Sequence, residues 1–144
     1  MPGRKVAVDF TMNDTFGDPV SLSSFKGKVL LIVFWRGMNK SSRMLNKSLV
    51  GIYERYRDMG FDILGVSCDS DHETWTKAIG EDKLTWAQVA NLGNPGNPAR
   101  RLYNIQSLPY TILLDQDLKI IGREIDYHDL ESRVRQALGK TKGA

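Results

Sequence analysis

Seven consecutive apolar residues, Val29 to Trp35, interrupt a chain whose apolar positions elsewhere fall at regular intervals. A strand with no polar face must be covered on both sides, which is the habit of a central parallel strand. Phe61–Ser67 reads as a second buried strand. Between the two, Leu45, Leu49, Ile52, Tyr53 and Tyr56 recur at helical spacing and predict a helix over Ser42–Met59, with Gly60 as its left-handed cap. Upstream, Val6, Val8 and Phe10 predict an extended arm. Asn13–Asp18 has turn chemistry, Val20–Leu22 reads as a short return strand, and Ser24–Gly27 as one turn closed by glycine.

Downstream, Ser70-Asp71-His72-Glu73 has the capping-box pattern and opens a helix through Ile79. Thr85–Val89 reads as a short strand and Asn91–Asn97 as a loop. Asn97-Pro98 supplies a cap and a first-turn proline for a helix ending near Tyr103. Tyr110–Leu114 and Lys119–Glu124 form a hairpin around Asp115–Leu118. A final helix starts at Asp126 or Asp129, carries Leu130, Val134 and Leu138, and ends at Gly139. Two β–α–β steps, an antiparallel pair and a last helix predict an α/β fold, a mixed sheet with helices on both faces.

Composition narrows the function. The 144 residues suit one domain, and a formal charge of +3 with both signs spread along the chain gives no basic stripe for nucleic acid. No run of about 18 apolar residues exists to span a membrane. Met1-Pro2-Gly3-Arg4 opens without an apolar signal region. Cys68 is the sole cysteine, so the chain has no internal redox pair, and with only His72 and His128 beside it a Cys/His zinc site is excluded. No cofactor is implied, and a monomer is expected.

Three segments carry a resemblance: Phe25–Trp35; Gly60–Asp69, which reads Gly-Phe-Asp-Ile-Leu-Gly-Val-Ser-Cys-Asp; and Leu102–Thr111, which contains Leu108-Pro109-Tyr110. Over about residues 6–138 the chain resembles the thioredoxin-like fold. More narrowly it is similar to the TlpA/ResA-type branch of bacterial thiol–disulfide oxidoreductases, related to AhpC/TSA peroxiredoxins. The resemblance implies a central mixed sheet with an N-terminal β-hairpin extension, a cis peptide at Pro109 facing the active-site loop, and a periplasmic or cell-envelope setting. It also implies a cysteine pair at residues 39 and 42, where this chain has Asn39 and Ser42. Catalysis of the paired-cysteine kind is therefore expected to be absent. A thioredoxin's buried acid would fall at Val33, and it is missing too.

What remains at the loop admits more than one reading. Ser41 or Ser42 suits a helix cap, whereas Ser42 as a nucleophile would require a base and an orienting group. Arg36, Lys40, Arg43 and Lys47 crowd the same helix start with no acid before Glu54. They read either as a solvated face or as a site for an anion or acidic peptide. Cys68, on the same sheet edge, is either a packed thiol or a monothiol reagent, with Asp69 and Asp71 opposing its thiolate. Trp35, Trp75 and Trp86 read as core or pocket-lining aromatics. The leading expectation is a binding or scaffold module whose surface comprises Trp35, Arg36, Met38, Lys40, Arg43, Leu108, Pro109 and Tyr110, taking a peptide or partner segment, acidic ones included. The alternative is a monothiol oxidoreductase or peroxiredoxin-related enzyme working through Cys68.

Overall fold

A computed structural model describes residues 5–92 and 97–142. Seven strands and four helices alternate along the chain: β1 (Thr11–Asn13), β2 (Pro19–Ser21), β3 (Val29–Trp35), α1 (Lys40–Tyr56), β4 (Phe61–Ser67), α2 (His72–Glu81), β5 (Ala87–Ala90), α3 (Pro98–Leu102), β6 (Tyr110–Leu114), β7 (Ile120–Arg123) and α4 (Tyr127–Lys142). They form one mixed sheet in the order β2-β1-β5-β4-β3-β6-β7. β3, β4 and β5 run parallel, while β6, β7 and the β1–β2 hairpin are antiparallel to their neighbours.

The seven apolar residues of β3 are all buried, because each face of the sheet carries its own core. Val29, Leu31, Val33 and Trp35 pack under α1, α2 and α4, against Leu49, Ile52, Trp75, Leu130 and Val134. Leu30, Ile32 and Phe34 face the opposite layer, made by Phe10, Leu22, Phe25, Ala99 and Tyr103. Each large apolar side chain buried this way contributes about 1.5–3 kcal/mol. Gly60, with φ of +99°, ends the first crossover in the left-handed region, and its carbonyl accepts from Val29 N at 2.9 Å.

Several local expectations are corrected. In the N-terminal arm the alternation does not hold: Val6 and Val8 are 61% and 53% exposed, whereas Ala7 and Phe10 enter the core. The arm's order comes from a bridge between Val6 and Lys119 and a bond from Ala7 N to Leu118 O at 2.8 Å, which alternation cannot reveal. The capping box does not form on Ser70. Asp71 caps α2, accepting from Thr74 N at 2.7 Å, because a carboxylate one residue later already satisfies the orphan amide. Gly139 does not end α4, which continues to Lys142, since a glycine inside a helix costs only about 1 kcal/mol. Residues 93–96 of the expected loop lie outside the described residues.

One glycine of β4 makes room for a polar link across the central strands. Gln88 of β5 reaches across Gly65 so that its Oε1 accepts from Trp35 Nε1 at 3.1 Å on β3. A Cβ on Gly65 would stand 2.1 Å from that oxygen. Gly65→Ala is therefore expected to lower stability by about 1–3 kcal/mol, as overpacked cores do. A urea midpoint should fall in Gly65→Ala, and the fall should shrink in a Gln88→Ala background, where the crowded amide is gone.

Candidate functional site

The sheet edge at the C-terminal ends of β3 and β4 carries the loop Arg36–Asn39 and the start of α1. Asn39 is the cap: its Oδ1 accepts from Ser42 N at 2.7 Å. The helix begins at Lys40, ahead of the expected Ser42, so neither Ser41 nor Ser42 caps it. Ser42 instead occupies the third helical position, is buried, and its Oγ accepts from Arg36 N at 3.2 Å. The two positions implied for a cysteine pair thus bond one another and close the first helical turn. The serine hydroxyl is engaged by backbone, and His72 turns its Nε2 to the Thr15 carbonyl at 3.0 Å, away from any role as base here.

Gly37 is held from both sides. Its N–H donates to Asp69 Oδ1 and Oδ2 at 2.9 and 3.1 Å, and its carbonyl accepts from Arg43 Nη1 at 3.1 Å. Asp69 is itself fixed by the Ser67 hydroxyl at 2.6 Å. A side chain at Gly37 would meet the Thr74 carbonyl at 3.2 Å, so the loop lies flat on α2. Arg43 also binds Asp82 through Nε and Nη2, and Glu81 at 2.9 Å, while Lys47 stands 3.8 Å from Asp82. The Asp82 hydrogen bond, helped by Glu81, holds the guanidinium more firmly protonated than an isolated arginine. The cations that looked unopposed along α1 are answered in part by the end of α2. Arg36 and Lys40 remain exposed.

Leu108-Pro109 is cis, as the resemblance implied. Phe34 pairs with Tyr110, which sets Pro109 at the end of β3, beside the loop. A shallow cleft of about 170 Å³ joins Pro109 to Leu45 of α1 and to Ile125, Tyr127 and Leu130. Leu108, Pro109 and Tyr110 are half-buried, and Met38 at the loop tip is 81% exposed. Trp35 does not belong to this surface. It is wholly buried and supports the loop from beneath through Gln88. Trp75 and Trp86 are likewise core residues.

Cys68 follows β4 directly, and its N–H donates to the Trp35 carbonyl at 2.8 Å. Burial pushes the thiol pKa up, Arg100 opposes that shift, and Asp69 adds to it. Asp71, expected to contribute, is occupied in capping α2. Asp69 and Asp82 are the site residues with least signature in the local pattern. The available sign was position, one just beyond a buried strand and the other at a helix end facing a basic helix start.

Residues 3–123 match the family model described as the AhpC/TSA family. The chain belongs to the AhpC/TSA family. Within it, the chain is of the thioredoxin-like thiol–disulfide oxidoreductase kind. It is 36% identical to the thioredoxin domain of a thiol-disulfide oxidoreductase from Bacteroides vulgatus, covering 94% of this chain and 97% of that one at a TM-score of 0.84. A thiol:disulfide interchange protein from Bacteroides sp. gives 35% identity, 94% and 90% coverage and a TM-score of 0.82. The thiol-disulfide oxidoreductase ResA of Bacillus thuringiensis is 24% identical over 136 residues, 94% of this chain and 76% of that one. A probable phospholipid hydroperoxide glutathione peroxidase of Arabidopsis thaliana is 40% identical over 65 residues, 45% of this chain. The chain spans only 28% of that relative's length. This AhpC/TSA chain differs from a dithiol enzyme in its one cysteine, which lies at neither residue 39 nor residue 42.

The site's electrostatics set two expected outcomes. Arg43→Met strands the buried Asp82 carboxylate with only Lys47 nearby, and is expected to cost about 2–4 kcal/mol by urea unfolding. Amide exchange at Gly37 should accelerate in the same variant. Burial raises the Cys68 pKa and so disfavours its thiolate. Its alkylation by iodoacetamide at pH 8 should run slower in the folded protein than in urea, where the burial is lost.

Proposed function

We propose that this chain is a thioredoxin-like binding module that performs no dithiol exchange and receives a peptide or partner-protein segment. The segment would lie across Arg36, Met38 and Lys40 and along Leu108-Pro109-Tyr110. The observation that carries the reading is the fate of Asn39 and Ser42. Both are consumed in hydrogen bonds that build the helix start, and neither is a thiol. Disulfide exchange requires a thiolate attacking sulfur, which neither group can supply. The surroundings of that lost pair are meanwhile retained: the loop is pinned, the cis peptide is present, and Met38 is bare. Exposed Arg36 and Lys40 favour a segment carrying acidic residues. Reaction through Cys68 is the weaker reading, because burial disfavours its thiolate.

Insulin reduction by the chain and by Cys68→Ala is expected to match the buffer rate in both. Titration with cysteine-free extended peptides of acidic, neutral and basic composition should shift the amide resonances of Met38, Lys40, Leu108 and Tyr110, the acidic set most strongly. Silent resonances with all three sets would remove the binding reading. Reductase activity abolished by Cys68→Ala would replace it with a monothiol enzyme.

A further inference from the structure

The layer between the sheet and α1 and α2 holds an unusual set of polar groups. Asn46, Trp75, Trp86 and Gln88 are 0%, 1%, 4% and 5% exposed. Among the described residues, Asn46 Oδ1 and Nδ2, Trp75 Nε1, Trp86 Nε1 and Gln88 Nε2 have no hydrogen-bond partner in the protein. The three tryptophans of the chain share one core cluster, and Gln88 is joined to it by its bond to Trp35. Asn46 lies one helical turn beyond Ser42 on the buried face of α1, the face that continues through Leu49 and Ile52 to Tyr56, with Tyr53 partly buried beside it. Tyr53 meets the Trp86 ring edge-on at 5.4 Å between centroids. Arg43 and Lys47, on either side of Asn46, reach the end of α2, so the carboxamide sits where α1, α2 and the sheet converge.

Polar groups buried without partners lose the hydration they had in the unfolded chain, and proteins rarely leave them so. Four of the five orphaned atoms are N–H donors and one is an acceptor. Their partner must therefore accept hydrogen bonds. Water and a small anion both qualify. The set includes an acceptor, Asn46 Oδ1, to which a water can donate and a small anion cannot. A buried water usually makes about three hydrogen bonds to otherwise unsatisfied groups. We propose that this layer is an internal water site, held by the Asn46 carboxamide and the N–H groups of Trp75, Trp86 and Gln88. The site lies directly beneath the loop and α1, and gives this polar layer partners that no side chain supplies.

Water–protein NOE and ROE spectra of the full chain test the proposal. The Asn46 side-chain amide and at least one of the Trp75 and Trp86 indole N–H groups should show cross-peaks to water, with the NOE sign of a molecule resident for nanoseconds or longer. Asn46→Leu, which fills the space with an apolar group, should abolish the indole cross-peaks. If that variant does not fold, Trp75→Phe deletes a single N–H at nearly constant shape, and the Asn46 cross-peak should persist in it. Absence of water cross-peaks at all of these groups in the folded chain overturns the site. So do cross-peaks that survive Asn46→Leu unchanged, which would come from a neighbouring hydroxyl. Resonance shifts on replacing chloride by bromide would assign the site to an anion and overturn it as well.

Discussion

Two-sided burial of β3 is the constraint on which the other elements depend. Seven apolar residues cannot be placed in water, and alternation sends four to one face and three to the other. One face requires α1, α2 and α4. The opposite face requires α3 together with an N-terminal arm that has little periodicity of its own. The parallel pairing of β3 with β4 then forces a crossover, and α1 is that crossover. The start of α1 is consequently delivered to the sheet edge where β3 and β4 end, and open α/β sheets place their ligand sites at this edge. The site is thus a result of how the central strand is covered.

At that edge, two charges that each oppose their own helix are set against one another. Arg43 lies near the start of α1, where the macrodipole disfavours a cation, and Asp82 closes α2, where it disfavours an anion. Joined, they neutralise both misfits and tie the two helices. Arg43 adds a bond to the Gly37 carbonyl, while Asp69 takes the Gly37 N–H. The loop is therefore ordered by side chains from the helix after it and from the end of the next strand. Its conformation does not depend on a disulfide.

Much of this was legible in the sequence. β3 appears at its observed limits because a continuous apolar run bounded by polar residues has few other solutions, and β4 because Gly60 and the polar residues after Ser67 bound it. Asn97-Pro98 and Gly60 announced helix ends through backbone chemistry that acts locally. Failures occurred where a distant partner decided the outcome. Ala7 is held by a bond to Leu118, in a turn more than a hundred residues away, so its burial could not be read from alternation. Asn39 displaced the serines as cap because its carboxamide reaches the third amide, which in turn freed Ser42 to face inward. The apparent excess of positive charge at α1 was an artefact of reading along one helix, since its answer lies on α2.

Asn39 and Ser42 also show how the helix start is closed with no thiol at either position. A helix start leaves amides without partners, and a buried hydroxyl needs a partner of its own. Asn39 satisfies the Ser42 amide, and the Ser42 hydroxyl takes the Arg36 N–H that opens the loop. Each of the two side chains thereby satisfies one backbone amide of the loop and the first turn. Cys68 takes the opposite course: held against Trp35 and partly buried, its thiol is moved away from the thiolate form that exchange requires. The cis-proline segment and the exposed Met38 flank this helix start, where the Ser42 hydroxyl is bonded to the Arg36 amide.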